Sequence, residues 1–129
     1  MASQLRVELS GPLFTKPITT TVRGAQNKLV QRVTATGRKN YKDLLIKARG
    51  RDSGAYRRTI RGRTKRGVGR VFSTDARKAT WLEGTSKLNR RSRFKGYRLF
   101  ARAADKTDRE AGAEARRLGN ELARQLGGR

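Results

Sequence analysis

Two stretches of this sequence are crowded with cations set beside glycines. Between Gly62 and Gly69 lie Arg63, Lys65 and Arg66, flanked by Arg61 and Arg70, and residues 87 to 95 carry Lys87, Arg90, Arg91, Arg93 and Lys95 with no acid among them. Guanidinium and ammonium groups at this density suit one kind of chemistry, the neutralisation of phosphate or carboxylate. Each phosphate held in this way releases counterions, so affinity falls steeply with salt. The whole chain points the same way: its 129 residues hold 33 Lys and Arg against 10 Asp and Glu, a formal net charge of +23. Self-repulsion of that size disfavours an isolated compact monomer and calls for an anionic partner. The excess is uneven. Residues 105 to 129 balance six bases against five acids, a net +1, and the remaining +22 falls in residues 1 to 104. The near-neutral end reads as a solvated helix and the middle as a contact surface.

Other chemistries find little footing, and no catalytic residue, cofactor or metal is expected. Histidine and cysteine are absent, which removes the usual zinc sets and any disulfide framework. The carboxylates are scattered, and no serine sits in a nucleophile elbow. A pair such as Asp75 with Glu83 is better read as structural, each acid facing one of the many arginines. Neither Gly67-Val68-Gly69 nor Gly62-Arg63-Thr64-Lys65 completes a phosphate-binding loop. The aromatics Tyr56, Phe72, Trp81, Phe94, Tyr97 and Phe100 are spaced like core residues rather than a platform for stacking bases, so sequence-specific reading of a nucleic acid is not expected. Residues 1 to 12 lack the apolar run of a signal peptide, and nothing approaches a membrane span of ~20 apolar residues.

These residues need a scaffold, and hydropathy patterning outlines one. Leu5, Val7 and Leu9 alternate with Arg6 and Glu8, the period-two pattern of a half-buried strand, which Ser10, Gly11 and Pro12 stop. Val22, Leu29, Val33, Tyr41, Leu44, Leu45 and Ala48 recur at helical spacing and predict a helix over about 20–49, with a kink at Thr34 to Gly37 and a stop at Gly50. After a turn over residues 51–54, Arg57 to Arg63 and Val68 to Ser73 read as strands joined by a flexible basic loop over 62–69. Ala79 to Leu82 fits a short strand or a helical turn, and 87–95 reads as a second basic loop. Tyr97 to Leu126 predicts a long final helix, with Tyr97, Ala104, Ala111 and Leu118 in one row and Ala101, Asp108, Ala115 and Leu122 in the next. The fold expected is α+β in a single domain over 1–129: a small, mainly antiparallel sheet packed by a long helix in the N-terminal half and a long C-terminal helix.

Two segments carry a family resemblance. Asp52-Ser53-Gly54-Ala55-Tyr56-Arg57-Arg58-Thr59-Ile60 resembles the turn-then-strand motif of the tail-completion, or head-tail joining, proteins of long-tailed phages. Trp81-Leu82-Glu83-Gly84-Thr85-Ser86 resembles that family's aromatic-hydrophobic-Glu-Phe-Gly-Thr-Ser signature, with Phe94 and an Ala-rich terminal helix following in order. The chain departs from the pattern in lacking an aromatic between Glu83 and Gly84, and in having Arg93-Phe94-Lys95-Gly96-Tyr97-Arg98 where the family has Pro-Phe-x-x-Pro. The resemblance implies a structural subunit of a homo-oligomeric ring, commonly sixfold, in the neck of a virion. Such a ring is assembled in the host cytoplasm and touches neighbouring neck and tail proteins. DNA passes through it, so the basic loops would hold the DNA backbone without reading its sequence. Ser53, Gly54, Tyr56, Arg57, Ile60, Trp81, Glu83, Gly84, Thr85 and Phe94 would be structural. Gly54 and Gly84 are expected to take unusual backbone torsions, and Glu83 to anchor a loop through backbone amides or an arginine. Composition alone leaves two other readings open: a basic RNA-binding protein of ribosomal type, and a neck or tail subunit whose cations meet acidic protein neighbours.

Overall fold

The computed structural model describes residues 4–8, 20–49 and 54–127. Their order is β1 (Leu5–Glu8), α1 (Thr20–Arg49), α2 (Gly54–Arg57), β2 (Ile60–Lys65), β3 (Val68–Ser73), α3 (Ala76–Glu83), α4 (Lys87–Arg91) and α5 (Leu99–Gly127). The architecture is α+β, with a three-stranded antiparallel sheet in the order β1-β3-β2 and the two long helices packed together. The expectations for Ser53, Gly50 and the stop at residues 10–12 lie outside the described residues.

The apolar pattern explains the layers. Along α1 the buried positions Leu29, Val30, Val33, Thr34, Asn40, Tyr41 and Leu45 follow helical spacing and face the sheet and α5. The helix runs unbroken through Thr34–Gly37. Thr34 and Thr36 return their hydroxyls to the carbonyls of Val30 (2.6 Å) and Arg32 (3.0 Å), which satisfies these polar groups within the helix. In the sheet, Leu5, Val7, Val71 and Ile60 point to the same core, and Leu5 pairs with Val71. Tyr41 and Phe100 join the helices, with ring centroids 4.2 Å apart. A polar bridge supplements them: Asn40 Nδ2 donates to Thr107 Oγ1 (3.0 Å) and to Glu110 Oε1 (3.1 Å).

Several boundaries differ from the sequence expectation, each for a local reason. The strand expected to begin at Arg57 begins at Ile60, because Gly54–Arg57 form a helical turn closed by Thr59. The Thr59 amide and hydroxyl both donate to the Tyr56 carbonyl, at 2.9 and 2.6 Å. Gly54 opens that turn as its first helical residue and has no positive φ, in place of the unusual torsion expected of it. The basic loop over 62–69 is mostly strand: Lys65 pairs with Val68, leaving a two-residue turn of Arg66 (φ 53°) and Gly67 (φ 76°). Both residues sit in the left-handed region, the conformation of the tight hairpin turn that follows strand twist. The second basic loop is partly helix α4, nucleated by a reciprocal capping box. The Ser86 side chain accepts from the Leu88 amide (3.2 Å), and Asn89 Oδ1 accepts from the Ser86 amide (3.0 Å). The final helix starts at Leu99 rather than Tyr97 because Arg98 has φ 54°. Its buried face passes through Leu99, Phe100, Ala103, Thr107 and Leu118, while Asp108 and Ala115 of the second expected row are exposed.

Candidate nucleic-acid interface

Alternation sorts the sheet residues onto two faces. Arg6 lies opposite Arg70 and Arg70 opposite Arg63, so three guanidinium side chains form one row across all three strands on the face turned away from α1. Arg61 pairs with Phe72 and Lys65 with Val68 on the same face, and Arg66 in the turn lines the groove that runs past them. Strands lie ~4.8 Å apart, and like charges set directly opposite one another destabilise a sheet. The arrangement therefore favours an occupant that carries negative charge. Among the described residues Glu8 is the one carboxylate on this face, and it pairs with Arg6 at 3.4 Å. Arg63 lies over the Phe72 ring, 5.7 Å from its centroid, which fixes the guanidinium while leaving its donors free to turn outward. A shallow groove of about 620 Å³ runs past Gln4, Val68 and Phe72 between these cations.

Of the first set of sequence candidates, the fold thus gathers Arg61, Arg63, Lys65, Arg66 and Arg70, on a rigid sheet face rather than a flexible loop. Arg6 joins them. Its isolated position in an alternating strand gives no hint of this, because only strand pairing brings it beside Arg70. The second set is carried elsewhere: Lys87, Arg90 and Arg91 on α4, Arg93 and Lys95 on the segment after it. Lys95 is tied down locally, its Nζ donating to the carbonyls of Asn89 (2.9 Å) and Arg90 (3.3 Å). Among the described residues three ion pairs form, Arg6–Glu8, Lys39–Asp43 and Arg117–Glu114, so most of their cations have no carboxylate within ion-pair distance.

The motif residues converge on a different place, the junction of α3, α4 and α5. Glu83, only 4% exposed, accepts from the amides of Phe100 (Oε1, 2.6 Å) and Ala101 (Oε2, 3.1 Å). These belong to the first turn of α5, where backbone N–H groups lack helical partners and negative charge is favoured. That turn holds no acid of its own, so Glu83 supplies the cap from 17 residues upstream. Burial pushes its carboxyl above the ordinary range, and the two amides and Arg98 pull it part of the way back. Asp75 is committed to a similar task, accepting from the Lys78 amide at the start of α3 (3.1 Å).

Gly84 (φ 95°) ends α3 in the left-handed conformation, with Thr85 closing the turn onto the Thr80 carbonyl. A side chain on Gly84 would overlap the Lys95 carbonyl, and one on Gly96 (φ 96°) would overlap the Gly84 backbone. The two glycines thus pass backbone against backbone. Tyr97 N donates to Leu82 O (2.6 Å), and Asn89 Nδ2 bridges the Trp81 and Phe94 carbonyls, both at 3.1 Å. Trp81, Phe94 and Tyr97 pack against one another, tilted and edge-on, with centroid separations of 5.0 and 4.9 Å. In the other motif, Tyr56 is buried with its hydroxyl on that of Tyr41 (2.8 Å), and Ile60 is fully buried. Arg57 is the last residue of the helical turn α2.

Among the described residues no cluster of acids suited to a metal is present, and no helix is long and apolar enough to cross a membrane. Set against known protein families, curated proteins and solved structures, the chain finds no match.

Proposed function

We propose that this chain is a structural subunit of the head-tail connector of a long-tailed phage, a ring joining the portal side of the capsid to the tail, whose open basic sheet face lies against the DNA backbone. The observation that supports contact with a polyanion is the Arg6–Arg70–Arg63 row with Arg61, Lys65 and Arg66 around it, facing one carboxylate. Such a surface grips phosphates through charge and carries no set of side chains arranged for base edges, so it holds duplex of any sequence. The placement in a neck rests on the resemblance of the two motifs. It gains support from the way Trp81, Glu83, Gly84, Thr85 and Phe94 serve one purpose, fixing the start of α5.

The test joins assembly to binding. Electron microscopy and native mass spectrometry of the purified protein should show a closed ring, and fluorescence anisotropy should show salt-dependent binding of mixed-sequence duplex DNA that weakens in R63Q/R70Q. A monomer indifferent to DNA and to ionic strength overturns the proposal. A monomer that binds structured RNA tightly and duplex DNA poorly overturns it in favour of the ribosomal-type reading.

A further inference from the structure

A second group of cations comes together where α1 crosses the edge strand β2. Arg38 lies with its Cδ beside the Gly62 backbone, and Lys42 follows one helical turn later. Arg57 ends α2 and Arg61 is the second residue of β2. Their proximity is electrically evident: burial lowers the Lys42 pKa from the ordinary lysine value, and Arg38, Arg61 and Arg57 lower it further. The ion pairs of the described residues lie elsewhere, and the neighbouring Asp43 faces Lys39 at 3.8 Å.

Two donors in this cluster are closed to solvent and have no acceptor among the described residues, Arg38 Nε and Arg57 Nε. A buried guanidinium N–H without a partner is costly, and it is costlier beside other cations. Arg61 is partly satisfied, since its Nη1 donates to the carbonyls of Arg58 and Ile60, and its other donors meet no acceptor among the described residues. Residues of α1, α2 and β2 thus bring four cations into one neighbourhood, with two buried donors among them. A planar carboxylate is satisfied by a single guanidinium fork, whereas a tetrahedral phosphate presents oxygens to several donors at once.

We propose that Arg38, Lys42, Arg57 and Arg61 form a phosphate-binding site at the β2 edge. Arg61 belongs both to this site and to the open sheet face, so a phosphate held here continues the basic track around the edge of the sheet. The site itself stands without the connector reading, which bears only on the source of the phosphate.

The experiment is a titration of the full chain with inorganic phosphate against chloride at matched ionic strength, followed by thermal shift and by backbone amide NMR. Wild type should show saturable stabilisation with shifts at residues 38, 42, 57 and 61. K42Q and R57Q should each weaken phosphate about tenfold, the loss of one charge-assisted hydrogen bond. R63Q/R70Q should bind phosphate as wild type does, which separates this site from the sheet face. Should R57Q fail to fold, K42Q, on the rim, still decides. Phosphate acting no differently from chloride, or K42Q binding it unchanged, overturns the site. Displacement of phosphate by a mixed-sequence oligonucleotide supports it with a polynucleotide backbone as source, and binding that the oligonucleotide leaves intact supports it with a free phosphate group.

Discussion

Removing the Glu83 carboxylate should loosen the start of α5 by an amount that can be worked out from its two bonds. In E83A the amides of Phe100 and Ala101 lose the acceptor they now reach at 2.6 and 3.1 Å, the first in a buried setting and the second in a partly buried one. Each buried donor left unpaired costs ~1–3 kcal/mol, so E83A should lose about 4 kcal/mol, a large share of the ~5–15 kcal/mol that holds a small domain together. At roughly 3–5 °C per kcal/mol for a chain of this size, the midpoint should fall by more than 10 °C. E83Q behaves differently. It keeps one carbonyl acceptor and removes a charge that burial penalises, so the two changes partly offset and the loss at neutral pH should be about 1 kcal/mol.

The pH dependence gives a second handle. The folded-state pKa of Glu83 is raised above the ordinary 4.5, so between these values the folded chain binds the proton and the unfolded chain does not. The contribution from this residue is therefore full below 4.5 and is lost as pH rises through the folded value. The wild-type advantage over E83Q should widen as the solution is acidified toward 4.5. Urea unfolding across this range, with hydrogen exchange at Phe100 and Ala101, measures both effects. An E83A variant within about 0.5 kcal/mol of wild type, or one that keeps full exchange protection at these two amides, would refute the capping argument.

Three more outcomes are expected. G96A should cost more than ~2 kcal/mol in chemical denaturation, because the residue is left-handed and its Cβ would enter the Gly84 backbone. In DNA binding, R63Q/R70Q should reduce the slope of log K against log salt by about 1.8, or ~0.9 for each phosphate no longer neutralised. Burial and the Tyr56 hydroxyl hold the Tyr41 phenol far above its ordinary 10.0, so it should not ionise while the chain is folded. Stability should then fall as pH rises past 10.0, where the unfolded tyrosine sheds its proton, and Y41F should lessen that fall at the cost of about 1 kcal/mol at neutral pH.

Periodicity makes the long elements readable, and the polar knots stay hidden. The spacing of Leu29, Val33, Tyr41 and Leu45 outlines α1 because one face must meet a core, and the alternation of Leu5 and Val7 outlines β1 for the same reason. The hairpin is harder. Arg66-Gly67 lacks the Asn-Gly or Asp-Gly pair that announces a tight turn, so a strand continuing to Lys65 reads as a loop. Helix α4 holds four polar or charged residues around an exposed Leu88, and its start depends on Asn89 where a capping box ordinarily has Glu or Gln. The role of Glu83 as an anchor is legible in kind, through backbone amides or an arginine. Its partners are not, since no local pattern links a residue to amides 17 positions away. Likewise Arg38 and Lys42 read as the solvated side of a helix until β2 and α2 bring Arg61 and Arg57 against them.

The placement of charge also constrains how copies of this chain can meet. Strand β2 is an edge of the sheet, and an edge offers unpaired backbone groups to any other strand. Here the edge carries Arg61, Arg63 and Lys65 at alternate positions, with Arg38 and Lys42 of α1 close behind it. A second copy added in register would set these cations opposite like charges at strand spacing, which screening by simple salt relieves only in part. Growth of the sheet through β2 is thereby opposed as long as the cations lack an anion. Occupation of the edge by phosphate would remove the repulsion and cover the same surface with ligand. An assembly that uses both the basic face and the edge for a polyanion must therefore make its subunit contacts elsewhere on the fold, and oligomer formation should survive R61Q and R63Q even where binding of the polyanion does not.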